Sequence, residues 1–243
     1  MRLDLYLFSS SLVKSRTEAK NFILDGAVTV NSVVVKKPSF DVSESDEVAV
    51  DTSGKRFVSR GGLKLEHALS CFNIDVSGAF CIDVGASSGG FTDCLLKSGA
   101  ERVVALDSGK DQLVEELRAD ERVLSIEGFN ARYMTSDDLP FVPTLAVMDV
   151  SFISATLIIP AVYRVLSRDA SFVLLIKPQF EVGREGIKKG GLVKNEKIAI
   201  SAVNSVIAFA ESVGFSFMGL TKSPITGGDG NTEYLAHFKK TPS

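Results

Sequence analysis

Long apolar runs, paired cysteines and a strong surplus of either charge are all missing from this 243-residue sequence. No stretch approaches the roughly 18 consecutive apolar residues that a membrane helix requires, and the first residues lack the apolar region of a signal peptide. The three cysteines have neither a C-x-x-C spacing nor an even count, which argues against a disulfide framework and a zinc site. We therefore expect a cytosolic protein without a membrane partner, in which Cys71, Cys81 and Cys94 are buried thiols.

The charge and composition bound the class of protein. The formal net charge is −3, so the chain is not a polycation and any nucleic-acid surface must be a local cluster of basic residues. With 45% hydrophobic and 23% charged residues, the length suits one large α/β domain and a second, smaller domain.

The N-terminal part of the sequence predicts a small module of two helices and three strands. Ser15 and Glu18 form a capping box, apolar residues follow at helical spacing, and Gly26 ends the pattern. An apolar face before this helix predicts another one, "AVTVNSVVVKK" predicts two strands joined at Asn31 and Ser32, and "EVAV" adds a third strand.

Basic residues occur throughout this module, but so do acidic ones. Six basic residues within residues 1–50 are balanced by seven acidic residues, so charge alone leaves RNA binding and an ordinary solvated face both open. The order "RLDLYL…SRTEAKNFILDGAVTVN" resembles the ribosomal S-four-type RNA-binding domain over residues 1 to about 50. This resemblance implies that the module presents basic side chains to structured RNA. The candidates on its helices are Arg2, Lys14, Arg16 and Lys20.

Residues 51–62, "DTSGKRFVSRGG", lack periodicity and predict a linker between two domains. The linker is basic, since Lys55, Arg56 and Arg60 are opposed by one acidic residue, Asp51. We add the three basic residues to the candidates for RNA contact. The second predicted domain comprises residues 63–243.

From Phe80 onward, continuous apolar runs alternate with helical patterns. The runs "FCIDVG", "RVVALD", "LAVMDV" and "FVLLIK" predict strands that are buried on both faces, and helices are predicted around residues 110–118, 155–166 and 195–213. Such strands are typical of a parallel sheet covered by helices. The sequence therefore predicts a Rossmann-like, doubly wound α/β domain preceded by a small α+β domain.

A glycine-rich loop, "DVGASSGG" at residues 83–90, follows the first of these strands. It has neither the G-x-G-x-x-G spacing of a dinucleotide loop nor the lysine of a Walker loop. Asp107 ends the next strand, where an acid can accept hydrogen bonds from the ribose hydroxyls of a nucleoside cofactor. Nicotinamide and sulfonium cofactors both carry such a ribose. The loop favours S-adenosylmethionine and leaves open a dinucleotide or a glycine turn without a ligand.

Charged residues follow two other predicted strands. Asp149 comes after "TLAVM" and Lys177 after "FVLLI", so both should lie at the carboxyl edge of the sheet beside the glycine loop. A lysine there is costly to desolvate unless it has a charged partner or a catalytic role. The alternative interpretation is a lysine whose amine reaches solvent at the strand end. Taken singly, Lys64 and Glu233 are typical of surface charges.

The segment 180–197, "FEVGREGIKKGGLVKNEK", follows Lys177 and combines basic residues with glycines. It predicts a solvent loop or, because of its position, a mobile lip that contacts RNA. No clustered set of ligands surrounds His67 or His237, so we expect both to be structural and expect no metal. The candidate RNA contacts in the segment are Arg184, Lys188 and Lys189.

Lys64, Asp149, Lys177 and Glu233 together resemble the K-D-K-E tetrad of FtsJ-type RNA 2′-O-methyltransferases. With "SRGGLKL", "DVGASSGGFTDCLL", "MDVSFIS", "IKPQFE" and "GNTEYL", nearly the whole chain resembles the TlyA, or haemolysin A-like, family of rRNA cytidine-2′-O-methyltransferases. One departure from the wider FtsJ class is a Ser-Ser pair in place of Ala-Pro in the glycine loop, which the TlyA branch tolerates. The cofactor residues that the resemblance implies are Asp83, Gly85, Ser87, Gly89, Gly90, Phe91, Asp107 and Asp149.

The resemblance also implies roles and partners. Lys177 deprotonates or stabilises the attacking ribose oxygen, Lys64 gives electrostatic support, and Asp149 and Glu233 orient the two amines. The methyl donor is S-adenosylmethionine, and the partner is ribosomal RNA or a ribosomal subunit. Because both termini look short, the large subunit is the expected target. A membrane-active haemolysin and a catalytically inactive RNA-binding assembly factor remain as alternatives.

Overall fold

The computed structural model describes residues 1–13, 15–43, 45–50, 56–227 and 230–241, except for the side chains of Asp25 and Arg184. The chain divides into two compact units, Met1–Arg60 and Gly61–Ser243, and each is described by itself. The division falls within the segment 51–62, for which the sequence predicts a linker and of which residues 51–55 lie outside the described part.

The described residues of the first unit form two helices and a three-stranded antiparallel sheet, in which the strand Val28–Val30 lies between Val33–Val34 and Val48–Val50. The Ser15 side chain accepts a hydrogen bond from the amide of Glu18, and Gly26 ends the second helix at a φ of +76°, so the N-cap bond of the predicted capping box and the predicted stop are confirmed. Within the predicted first helical face "RLDLYLFSSSLV", Leu3 and Leu7 are buried, whereas Leu12 is 42% exposed because it follows the end of the helix. The elements are α1 (Leu3–Ser9), α2 (Arg16–Asp25), β1 (Val28–Val30), β2 (Val33–Val34) and β3 (Val48–Val50).

The second unit is a seven-stranded sheet with helices. Its strands are β4 (Phe80–Val84), β5 (Arg102–Leu106), β6 (Val123–Ile126), β7 (Leu145–Met148), β8 (Ser171–Ile176), β9 (Phe215–Lys222) and β10 (Tyr234–Lys240). Their order across the sheet is β6-β5-β4-β7-β8-β10-β9. Its helices are α3 (Gly61–Cys71), α4 (Gly90–Lys97), α5 (Glu115–Arg118), α6 (Ile159–Val165), α7 (Pro178–Glu181) and α8 (Glu196–Val213). Short 3-10 turns lie at Ala131–Tyr133, Ser136–Asp138, Ala155–Leu157 and Arg184–Gly186.

The strands from β4 to β8 are parallel, whereas β10 runs antiparallel to both β8 and β9. Every residue of β7 and β8 is buried, which confirms that the continuous apolar runs are strands covered on both faces. This arrangement confirms the predicted Rossmann-like α/β fold. The edge strands β6 and β9 were not predicted, because edge strands are partly exposed and lack a continuous apolar run.

Two predictions about this unit are wrong. The helix expected around residues 110–118 is reduced to α5, because the carboxylate of Glu127 accepts hydrogen bonds from the amides of residues 111, 112 and 113. A helix would instead turn those amides toward its own carbonyls. Cys71 is exposed at the end of α3, whereas Cys81 and Cys94 are buried as expected.

The strand order places a ligand crevice at one edge of the sheet. From β4 the chain moves outward through β5 and β6, and then returns to add β7 and β8 on the other side of β4. The loops after β4 and β7 therefore leave neighbouring strands in opposite directions. In open α/β sheets, ligands bind in the crevice that opens at such a reversal point.

Candidate active site

The glycine loop after β4 lies directly against the loop after β7. Gly85 has a φ of +86°, and a Cβ atom at this position would lie 2.4 Å from the backbone oxygen of Asp149. That distance is far shorter than van der Waals contact, so only glycine fits. The predicted cofactor loop and the predicted catalytic residue Asp149 are therefore neighbours.

Asp107 holds the glycine loop in place from the end of β5. Its Oδ2 accepts a hydrogen bond of 2.8 Å from the amide of Ser87, and its Oδ1 accepts one of 2.7 Å from the amide of Gly109. Each carboxylate oxygen can accept a second hydrogen bond. Asp107 can therefore support the loop and still accept from ribose hydroxyls.

The rest of the predicted cofactor loop leads into α4. Gly89 caps this helix at a φ of +97°, and Gly90 is its first residue. Phe91 is only 3% exposed and belongs to the buried interior. Phe91 can therefore reach a ligand through its backbone but not through its ring.

Asp83, near the end of β4, is a fully buried carboxyl group. Its Oδ2 accepts a hydrogen bond of 2.7 Å from the hydroxyl of Thr92, while its Oδ1 has no hydrogen-bond partner among the described residues. Burial, with a smaller contribution from the charges of Asp149 and Asp107, raises the pKa of Asp83 to about 7. The reversal point of the sheet therefore brings Asp107 and Asp149 close enough for their charges to act on Asp83.

Lys177 and Asp149 form an ion pair at the carboxyl ends of β8 and β7. Lys177 Nζ lies 2.5 Å from Asp149 Oδ1, with side-chain exposures of 11% and 21%. The contact with Asp149 is an ion pair without hydrogen-bond geometry. Lys177 Nζ donates its hydrogen bond to the hydroxyl oxygen of Ser151 at 2.8 Å. Adjacent parallel strands bring these residues together, since β7 and β8 end at the same edge.

Lys64 and Glu233 form a second ion pair, which is more deeply buried. Lys64 Nζ donates to Glu233 Oε2 at 2.5 Å, and the side chains are 11% and 3% exposed. Glu233 directly precedes β10, whose first residue Tyr234 lies opposite Ile176, the last residue of β8. Because β10 is antiparallel to β8, its beginning lies at the edge where Lys177 emerges. Lys64 approaches the same edge from α3.

A model of the FtsJ-like methyltransferase family matches residues 57–240, and a model of the S4 domain matches residues 1–48. "Hemolysin A" of Brachyspira hyodysenteriae is 45% identical, over 98% of this chain and 99% of that protein. The "16S/23S rRNA (cytidine-2'-O)-methyltransferase TlyA" of Mycobacterium tuberculosis is 41% identical, over 96% of this chain and 88% of that protein. This chain belongs to the TlyA family of FtsJ-like methyltransferases. The solved structure of a candidate hemolysin from Streptococcus thermophilus, 44% identical, superimposes with a TM-score of 0.81 over 100% of this chain and 89% of that one.

The N-terminal unit of this TlyA family member is thus an S4 domain, a type of RNA-binding module. Arg2 and Arg16 both donate hydrogen bonds to Asp4, which is buried, while the two arginine side chains are 46% and 51% exposed. Hydrogen bonding from Arg2 lowers the pKa of Asp4, so the carboxylate stays charged and fixes both guanidinium groups. Lys20 is exposed on α2.

The remaining RNA-contact candidates fall in several places. Arg56 is exposed and lies over the ring of Phe57, and Arg60 is partly exposed. Lys188 and Lys189 are exposed at the tip of the segment expected to form a lip. Lys14, Lys55 and the side chain of Arg184 lie outside the described residues.

The expected lip is a hydrogen-bonded hairpin rather than an irregular loop. The amide of Lys188 donates to the carbonyl of Leu192 at 2.7 Å, and Ile187 pairs with Val193 in an antiparallel bridge. The buried side chain of Asn231 accepts from the amide of Val193 and donates to the carbonyl of Gly191, each at 3.0 Å. These bonds tie the hairpin to the segment that carries Glu233.

Sequence reasoning missed the aromatic side chains beside the tetrad. Phe152 is 90% exposed and has a φ of +64°, three residues after Asp149. Its ring lies 5.1 Å, centroid to centroid, from that of Phe180, three residues after Lys177. The spacing within "MDVSFIS" and "IKPQFE" was a usable signal, since both phenylalanines follow a predicted strand end, but exposure and left-handed backbone are not readable from the sequence.

The two histidines lie outside the tetrad. His67 Nε2 lies 3.1 Å from the hydroxyl of Thr221, and burial lowers the pKa of His237 to about 4. Among the described residues, no three His, Cys, Asp or Glu side chains cluster so as to hold a metal ion. No helix in the described part of the chain is both long and apolar enough to cross a membrane.

Proposed function

We propose that this protein transfers a methyl group from S-adenosylmethionine to the ribose 2′-hydroxyl of a cytidine in ribosomal RNA. The observation that carries the proposal is the presence of two lysine–carboxylate contacts at the edge where the glycine loop ends, the buried pair of Lys64 with Glu233 and the partly buried pair of Lys177 with Asp149. Ion pairs removed from water add little to stability after their desolvation cost. Two such pairs in the ligand crevice of a methyltransferase domain therefore favour a chemical role.

The electrostatics of the crevice favour a cationic cofactor. Asp83, Asp107 and Asp149 lie close enough for the charges of the last two to raise the pKa of the first. Such a site repels the pyrophosphate of a dinucleotide and attracts the sulfonium and ammonium groups of S-adenosylmethionine. The unpartnered Oδ1 of Asp83 suits the ammonium group, Asp107 suits the ribose, and the backbone from Gly85 to Gly90 lines the remaining path.

The bound cofactor supplies an electrophilic methyl group. A ribose hydroxyl is a weak acid, so its oxygen must lose its proton as it attacks carbon. We assign Lys177 Nζ to that proton or to the developing charge on the oxygen, because Asp149 and Ser151 hold the amine in one position. Lys64, fixed by Glu233, adds positive charge at the same edge. Much of the acceleration then comes from orientation, which can be worth several kcal/mol.

RNA contacts are proposed for three surfaces. The half-exposed Arg2 and Arg16 of the S4 domain suit backbone phosphates, as do Lys188 and Lys189 on the hairpin. The exposed ring of Phe152 offers an apolar face beside the tetrad on which a base of the RNA can stack. Such stacking would keep the target ribose near Lys177.

The alternatives explain less of the site. An inactive assembly factor needs an RNA-binding unit but has no use for two lysine–carboxylate pairs at a cofactor crevice. A membrane-active haemolysin needs apolar surfaces for lipid, whereas the distinctive feature here is a cluster of charged groups in the sheet edge. Both alternatives make different predictions in the following experiment.

The test is transfer of a labelled methyl group from S-adenosylmethionine to isolated small and large ribosomal subunits. Wild-type protein should label RNA, and mapping should place the label on a cytidine 2′-oxygen. Lys177→Ala should abolish labelling while calorimetry finds cofactor affinity within a few-fold of wild type. Lys97→Ala is the matched control, since Lys97 is also ion-paired, with Asp93, but lies at the far end of α4.

Each other outcome overturns a part of the proposal. Cofactor binding without labelling of either subunit would favour the assembly factor, and near wild-type turnover by Lys177→Ala would remove Lys177 from its role. Leakage of liposomes by pure protein would revive the haemolysin. Labelling confined to one subunit identifies the target RNA.

A further inference from the structure

We propose that Glu181 is a positioning residue that holds the loop carrying Phe152 in its strained, exposed conformation, ready to receive the RNA. The inference rests on the proposed function and concerns a residue outside the K-D-K-E tetrad. Glu181 is the last residue of α7, the short helix that begins directly after Lys177. The loop concerned, residues 149–154, connects β7 to the 3-10 turn Ala155–Leu157 and is called the β7 loop.

Phe152 is in an unfavourable conformation and environment, although its ring contacts that of Phe180. A phenylalanine at a φ of +64° is in the left-handed region that non-glycine residues avoid, and a ring that is 90% exposed loses most of the benefit of burial. Strained residues of this kind persist only where the surrounding structure determines them, and they concentrate at functional sites. The question is which contacts impose the conformation.

Contacts to the chain after β8 hold the β7 loop on both sides of Phe152. On the N-terminal side, Lys177 Nζ donates to the hydroxyl oxygen of Ser151 at 2.8 Å. On the C-terminal side, Glu181 Oε2 accepts from the Ser154 hydroxyl at 2.6 Å and Glu181 Oε1 accepts from the amide of Ala155 at 2.8 Å. Glu181 therefore supplies two of the three hydrogen bonds, and both involve a charged acceptor, which makes them stronger than neutral ones.

Glu181 differs from the other contacts in having no proposed part in the reaction. Lys177 is assigned to the attacking oxygen, so its removal affects chemistry and loop together. Substitution of Glu181 removes contacts only on the C-terminal side of Phe152, at Ser154 and Ala155, whereas Asp149 at the N-terminal end of the loop keeps its pairing with Lys177. If only a fraction of the molecules have the loop ordered, the apparent affinity for RNA is the intrinsic affinity multiplied by that fraction.

Glu181→Ala should raise the KM for RNA by up to about 5- to 30-fold, since losing one or two hydrogen bonds shifts the loop equilibrium by that order and the fraction of ready molecules falls by no more than this factor. The cofactor affinity and the kcat at saturating RNA should change little. Glu181→Gln keeps one acceptor oxygen for the amide of Ala155 and should recover part of the loss. Glu211→Gln, the same change at an exposed residue of α8, should have no effect.

Loop order is measured separately from activity. The sequence contains no tryptophan, so Phe152→Trp introduces a single tryptophan at the loop, which can be excited selectively over the tyrosines. Its anisotropy should fall when Glu181→Ala is added and should stay constant when Glu211→Gln is added.

An unchanged anisotropy, or a fall in melting temperature without a change in the KM for RNA, would show that Glu181 is merely structural and would overturn the inference. Failure of wild-type protein to methylate RNA would overturn the proposed function instead, and the anisotropy experiment would still decide the role of Glu181.

Discussion

Gly85 offers the sharpest test of how the cofactor crevice is built. A Cβ atom there would lie 2.4 Å from the carbonyl oxygen and 2.9 Å from the carbonyl carbon of Asp149. Both are backbone atoms and cannot rotate away, so Gly85→Ala must push apart the loops that follow β4 and β7. The substitution should lower the free energy of unfolding for two reasons, the left-handed φ of the new alanine and the steric overlap of its Cβ atom.

Gly78 separates these two effects. It has a φ of +67°, close to the +86° of Gly85, but a Cβ atom there would have no neighbour within 4 Å. Gly78→Ala should therefore cost only the left-handed conformation, about 1–2 kcal/mol. Gly85→Ala should cost that amount and about 1–3 kcal/mol more for overpacking, or about 2–5 kcal/mol in total.

The free energy of unfolding can be measured by denaturation of the full chain followed by far-ultraviolet circular dichroism, since no tryptophan is present for fluorescence. Calorimetry with S-adenosylmethionine should show weakened binding for Gly85→Ala and unchanged binding for Gly78→Ala. Equal destabilisation by the two substitutions would show that the two loops can separate freely and would refute the reasoning.

Two further predictions concern carboxyl groups of the crevice. Asp107→Ala should weaken cofactor binding by about 1–3 kcal/mol through lost charge-assisted hydrogen bonds, and an unchanged calorimetric affinity would reject its role. Because burial raises the pKa of Asp83 to about 7, from about 3.9 in an unfolded chain, the folded state retains a proton that the unfolded state releases. The stability contributed by the protonated carboxyl is thus complete below about pH 4 and is lost as the pH rises to about 7. Asp83→Asn, which does not ionise, should lose less stability between pH 5 and pH 8 than wild type, and equal losses in thermal melts would contradict the assignment.

The sequence by itself determined the features that depend on local residue patterns. Strands covered on both faces are continuously apolar, so β4, β5, β7 and β8 could be predicted, and with them the parallel sheet. Helix caps are equally local, as Ser15 and Gly26 show. The glycine loop and the acidic residue after β5 were visible because both follow a strand end directly.

Other features depend on residues that are distant in sequence. The segment around residues 110–118 has a helical pattern, but the carboxylate of Glu127 accepts hydrogen bonds from three of its backbone amides. Phe152 is an ordinary apolar residue in the sequence, and its exposure follows from bonds between its loop and residues after β8. The pKa of Asp83 follows from burial and from two carboxylates on other strands.

The four tetrad residues could be picked out in the sequence, but only the tertiary structure decided how they pair. Lys64 and Glu233 are 169 positions apart, and they meet because the antiparallel β10 begins where β8 ends. Lys177 forms an ion pair with Asp149 because β7 and β8 are adjacent and parallel. A sequence records which side chains are available, whereas the register and direction of neighbouring strands determine which of them share one edge of a sheet.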